Sequence, residues 1–255
     1  MILSDAGPGF PDNYALLFGA AGAIFALSIL PGVFFHELAS GKTAARTASF
    51  AEFLPQLGRL VKTDVPFRAF IGMRILTSLL LMAAPFYIGF ATVRLGLSSQ
   101  VAVPGLLAMQ TVGTVTGAFL YSWFGARSNV AYIRLALAGA TFLPVSALIA
   151  ELVGPFPLYL GFLLSGLAMS NLNMAYLNWL VGYSGVDNRP AYVGLSNTIT
   201  ALVSLATPAI AGTIVQRLGY RPLFVAALTM ALSTLFIARR YLQAGATERW
   251  DRRAP

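Results

Sequence analysis

The chain contains no cysteine, a single histidine (His36), and two lysines (Lys42 and Lys62). Without cysteine there are no disulfides and no thiolate metal sites, and one histidine cannot supply a histidine metal cluster. Both lysines fall in a polar loop, so no lysine is placed within the membrane to carry a retinal Schiff base. Charge of either sign is scarce, at 10% of residues against about a quarter in ordinary soluble domains. The carboxylates Glu37, Glu151 and Asp187 stand at the ends of apolar stretches or in turns, and no Asp or Glu lies inside one. Proton relays in membranes commonly run through buried carboxylates or histidine, and no such relay is legible here. Short alternating segments of the kind that build a membrane β-barrel are missing. The segment Met1 to Asn13 is acidic, and no small-residue cleavage site follows the first apolar stretch, which argues against a secretory signal peptide.

What the chain does have is apolar length. Apolar residues make up 57% of it, in long runs close to the roughly 20 residues a helix needs to cross the hydrocarbon core. Lipid cannot hydrogen-bond the backbone, so such runs must be helices that satisfy their own peptide groups. Apolar length and breaker residues predict an all-α membrane protein with seven transmembrane helices, at about Tyr14–Phe35, Ala69–Val93, Val101–Phe124, Val130–Ala150, Pro157–Tyr183, Ala191–Val215 and Pro222–Leu242. Pro31, Pro85, Pro104, Pro144 and Pro208 fall inside these spans and are expected to bend them. The domain reading is an extracytoplasmic segment and first helix over 1–35, a cytoplasmic linker loop over 36–68, a six-helix bundle over 69–242 and a cytoplasmic tail over 243–255.

Charge sets the expected direction. One side collects Lys42, Arg46, Arg59, Lys62, Arg68, Arg127, Arg189, Arg249, Arg252 and Arg253, with Arg239 and Arg240 at the span end facing it; the other holds Arg94, Arg217 and Arg221. Cytoplasmic loops carry the Lys/Arg excess, which puts the N-terminus outside and the C-terminus in the cytoplasm of a multi-pass cell-membrane protein. A nucleic-acid partner is not expected despite the net charge of +8, because a binder would gather its basic residues on one face or stripe. The expected surroundings are the lipid bilayer and its anionic headgroups. In the long loop, Ser49 to Glu52 fits a capping box, and Phe50 to Val61 reads either as an amphipathic surface helix interrupted by Pro55 or as a plain linker.

Shifting the second to fourth spans by 92 to 94 residues sets Met82-Ala83 on Met174-Ala175 and the turn Phe124 to Arg127 on Leu218 to Arg221. Three spans per unit is odd, so such units insert with opposite topology, as in the inverted 3+3 repeats inside each half of major facilitator transporters. Gly212 to Phe224 resembles the link between the last two helices of the major facilitator superfamily (MFS). Phe10 to Phe18 resembles the entry to its sixth helix, the basic loop resembles the link between its six-helix halves, and Ala118 to Arg127 resembles its cytoplasmic turn between the eighth and ninth helices. In that turn Ser122 replaces an aspartate and Trp123 a basic residue, so the resemblance does not carry over a charge relay there. It implies an MFS-like C-terminal half preceded by one helix, acting in secondary active or facilitated transport of a small solute by alternating access. It also implies that a missing N-terminal helical half or a second subunit completes the carrier, with this chain a fragment or a half-unit.

Amides are costly in lipid and normally face the bundle interior. Gln110 lies on the third span, Asn171, Asn173 and Asn178 on the fifth, and Asn197 on the sixth, where Asn197, Thr200 and Ser204 share a face. Gly113 and Gly117 form a GxxxG that permits close helix approach. By resemblance the second, third, fifth and sixth spans border the translocation path, which makes Arg74, Tyr87, Gln110, Asn171, Asn178 and Asn197 the candidate substrate-binding residues, with no cofactor or metal. The plain alternative is interhelical hydrogen bonding worth about 0.6 kcal/mol per bond. Arg74 and Arg134, about a turn from the cytoplasmic end, are expected to snorkel to the interface, with an anionic substrate as the other possibility for Arg74. A seven-span receptor without transport is the rival function. An enzyme is not expected, since a nucleophile such as Ser165 lacks a partner base.

Overall fold

The computed structural model describes residues 12–33, 62–124 and 128–242. His36, the loop features between Ser49 and Val61, the turn at Arg127 and the C-terminal tail lie outside the described residues. Every regular element among the described residues is an α-helix. The first, α1 (Asp12–Val33), belongs to a separate compact unit from the rest of the chain. It is 22 residues long, and Phe18–Ile29 is its described apolar stretch.

In the second unit six helical segments are long and apolar enough to cross a membrane: Val65–Val93, Ser99–Trp123, Asn129–Val153, Phe156–Gly185, Arg189–Leu218 and Tyr220–Tyr241. This is the build of a multi-pass membrane protein, and the six follow the last six predicted spans closely. Three are interrupted. The first comprises α2 (Val65–Leu81) and α3 (Ala84–Val93), parted at Met82 and Ala83. Next come α4 (Ser99–Phe124), then α5 (Asn129–Ala140) and α6 (Phe142–Val153), parted at Thr141. Then follow α7 (Phe156–Met169) and α8 (Leu172–Leu218), parted at Ser170 and Asn171, and finally α9 (Tyr220–Tyr241).

The interruptions have local causes. Pro85 and Pro144 lack the N–H that would continue the ladder to Leu81 and Ala140, so each helix ends just ahead of its proline. No proline explains the third break; there Asn171 leaves helical geometry (φ −126°, ψ 16°) and its side chain bonds Ser170, the local competition that keeps Asn out of helix interiors. Pro104 and Pro208, by contrast, stay inside continuous helices. Gly185 (φ +69°) turns the chain inside α8, and Gly219 (φ +89°) separates α8 from α9; only glycine adopts these conformations without strain. The six segments account for the last six of the seven expected spans, and α1 stands at the position of the first. Met82 and Ala83 form a break, whereas Met174 and Ala175 sit within the first turn of α8.

Capping groups start the helices. Asp64 accepts a hydrogen bond from the Phe67 N–H at the head of α2, and Ser128 accepts one from Ala131 at the head of α5. The closest packing joins α4 to α7. A Cβ on Gly113 would lie 2.0 Å from the Leu163 carbonyl oxygen, and one on Gly166 2.1 Å from that of Gln110, so these backbones touch only because both residues are glycine.

The buried side chains form two layers along the bundle. One holds Tyr87, Phe90, Leu106, Phe162 and Phe224. The other holds Phe67, Phe70, Ile133, Tyr176 and Trp179. Contacts at the two ends establish alternating helix directions: the Asp64 carboxylate meets Tyr183 and Tyr192 at one end, while Phe90 meets Tyr220 at the other.

Candidate functional site

Arg74 lies on α2, which begins at Val65, so it is nine residues into its span, roughly 14 Å at the rise of an α-helix. That is deeper than expected. Its guanidinium does not run to the interface. Nη1 donates to Asn173 Oδ1 at 3.0 Å, and the charge sits 5.5 Å from the centroid of the Tyr176 ring. Arg74 Nε is buried with no hydrogen-bond partner. Tyr176 is itself held by Thr77: the Thr77 hydroxyl donates to the Met73 carbonyl at 2.8 Å, leaving its oxygen to accept from Tyr176 at 3.0 Å.

Arg74, Asn173 and Tyr176 face an open-sided cavity of about 350 Å³, lined also by Ser196, Asn197 and Thr200 of α8 and by Phe70, Leu177 and Leu180. Asn173 and Asn197 lie twelve and eight residues from the same end of their spans as Arg74, roughly 12–18 Å deep. The polar groups thus converge inside the spans, between the end that holds Asp64 and the helix breaks. Two of the six candidates, Arg74 and Asn197, meet here. Asn173, Tyr176 and Thr200 join them without having been candidates. The signal for Thr200 was its place three residues after Asn197, on the same helix face; Asn173, two residues from Asn171 and five from Asn178, shares a face with neither, and Tyr176 had no signal, because an aromatic in a bundle is ordinarily packing.

Tyr87 and Gln110 meet elsewhere, with Ser165, around a cavity of about 90 Å³, room for about three water molecules. Tyr87 is 2% exposed, stacks on Phe224 with ring centroids 4.7 Å apart, and leaves its buried hydroxyl without a partner. Asn171 stands at the residue before α8, in the break, and its side chain donates to the Ser170 hydroxyl at 3.2 Å. Asn178 donates to the Tyr121 hydroxyl at 2.9 Å, tying α8 to α4. The six candidates therefore fall in four places rather than along one face.

Arg134 reaches across to the end of α9. Its Nε donates to the Ala238 carbonyl at 3.3 Å, and Nη2 donates to the carbonyls of Arg239 and Leu242, where α9 ends. Asp64, absent from the sequence-based candidates, accepts from the hydroxyls of Tyr183 and Tyr192 (2.9 Å for Tyr192) as well as from Phe67. Asp64 and Glu151 are the acidic residues whose side chains are described, and Asp64 is occupied by these three donors. Among the described residues no group of three or more His, Cys, Asp and Glu side chains is arranged to hold a metal. Comparison of the chain with protein-family models, curated proteins and solved structures gives no match.

Proposed function

We propose that this chain carries a small solute across the cell membrane by alternating access, as one half of a larger carrier of the major facilitator kind. One observation carries the reading: three spans break near their midpoints, and a polar cavity lies inside the bundle between those breaks and the end that holds Asp64. Irregular backbone inside a membrane is tolerated where it is buried in protein or lines a cavity, and broken helices around a midplane site recur in secondary transporters. In this reading Arg74 and Asn197 contact the solute. Tyr87 and Gln110 line the narrow space on the other side of the breaks, and Asn171 and Asn178 hold the helices that move.

The complementary half, or a second subunit, covers α4 and the second part of α8. These spans are the least buried of the six, and Asn178 and Asn197 are exposed, positions too polar to suit lipid. The N-terminus lies outside and the C-terminus in the cytoplasm, in keeping with the basic loops. Reconstitution in liposomes tests this. Saturable uptake from a panel of labelled organic acids, amines, amides and sugars is expected, and failure to move any of them, even when the chain is co-produced with a five-helix N-terminal half, counts against carriage.

A further inference from the structure

The groups around Arg74 differ in what they leave unsatisfied. Asn173 takes one guanidinium N–H and the Tyr176 ring covers one face, yet Nε has no partner. Among the described side chains no carboxylate balances the charge, since Asp64 is held by Phe67, Tyr183 and Tyr192 and Glu151 sits at the far end of its span. A cation at this depth is costly, and a guanidinium fork matches a planar carboxylate in bidentate fashion. Among the described residues Arg74 is the one charged side chain lining the cavity, so a single negative charge balances it. The remaining walls divide in two: Ser196, Asn197 and Thr200 offer hydrogen bonds, while Phe70, Leu177 and Leu180 offer apolar surface. A volume of about 350 Å³ falls at the small end of ligand sites, which run from about 300 to 1,000 Å³.

We infer that this cavity binds a small organic monocarboxylate, its carboxylate on Arg74 Nε and Nη2 and its apolar body against Phe70, Leu177 and Leu180. The identification of this ligand as the carried solute rests on the transport reading above; the binding itself does not. The Arg74–Asn173 bond orients the fork, and Asn197 reaches the end of the ligand remote from the charge.

The test is equilibrium binding to the purified full chain in phosphatidylcholine nanodiscs, with empty nanodiscs as the blank. The probes are benzoate, phenylacetate and phenylpropionate, their neutral amides, and inorganic phosphate. The acids are expected to bind saturably, with the amides and phosphate at least about tenfold weaker, a difference of about 1.4 kcal/mol. Arg74→Gln should bring acid and amide affinities together, and Arg74→Lys, which keeps charge without the fork, should fall between. Asn197→Leu alters an exposed side chain, so it serves where Arg74→Gln fails to fold; it should weaken the acids about threefold while preserving their preference over amides. The inference is overturned if no acid binds, if acids and amides bind alike, if phosphate binds best, if Arg74→Gln folds and keeps the preference, or if Asn197→Leu changes nothing. Liposome uptake separates the two readings. Acid binding without uptake removes transport and keeps the site, whereas uptake of a neutral solute undisturbed by Arg74→Gln, with no acid binding, does the reverse.

Discussion

Arg134 offsets the end of a helix other than its own. The last carbonyls of any α-helix lack intrahelical donors and carry the negative end of the helix dipole, and at the end of α9 one guanidinium meets three of them. Replacing Arg134 with Met keeps the apolar stem and removes the donors. It should lower unfolding stability in detergent by about 1–3 kcal/mol, with Lys recovering part of the loss; an unchanged thermal midpoint would mean that water already serves those carbonyls. Arg134 and Arg74 look alike in the sequence, each an arginine within an apolar span, and the same expectation was attached to both. Their roles differ because of what stands opposite: a helix terminus for one, an amide, an aromatic face and a cavity for the other. Asp64 shows the converse. Its place before Val65 and Pro66 is a helix-start pattern, but its bonds to Tyr183 and Tyr192 span more than a hundred residues, and no local pattern announces them.

At the scale of helices, the seam between α4 and α7 is where small residues determine the architecture. Gly113 and Gly117 are legible as a GxxxG, but their partner is not, since any of the other helices could approach them. The fold selects α7, where Gly166 meets the Gln110 carbonyl as Gly113 meets that of Leu163. Gly113→Ala should therefore destabilise the protein by about 1–3 kcal/mol, the range for overpacking a tight contact. Gly212→Ala, where an added Cβ meets nothing within 4 Å, should instead gain about 0.5–1 kcal/mol of helix propensity. Thermal unfolding of both variants in one detergent checks the pair, and equal effects would mean that the α4–α7 approach is looser than described. The helix breaks were only half legible. Five prolines were expected to bend their spans; Pro85 and Pro144 interrupt helices, Pro104 and Pro208 do not, and the break at Ser170 and Asn171 has no proline at all.

For the molecule as a whole, the end contacts alternate as six antiparallel spans require, and the described basic residues divide with them. Lys62, Arg68, Arg189, Arg239 and Arg240 fall at the end that holds Asp64; Arg94, Arg217 and Arg221 fall at the other. Because the chain has no cysteine, single cysteines report the orientation without background. In intact cells Arg94→Cys and Glu151→Cys should react with a membrane-impermeant maleimide, and Lys62→Cys and Arg189→Cys only after permeabilisation. The opposite pattern would invert the topology.

The sequence by itself determined that the chain is helical and multi-pass, and nearly where its six bundle spans lie. Each follows from a local balance, because lipid forces every span to satisfy its own backbone and to be apolar over a length set by the bilayer. The grouping of polar side chains was decided only by tertiary structure. Arg74 meets Asn173 and Asn197 across three spans, while Tyr87 and Gln110 gather on the far side of the breaks. Helical spacing orders residues along one helix face, but which faces meet depends on where glycine lets two backbones touch and where a broken ladder turns a helix, and those are properties of the packed bundle.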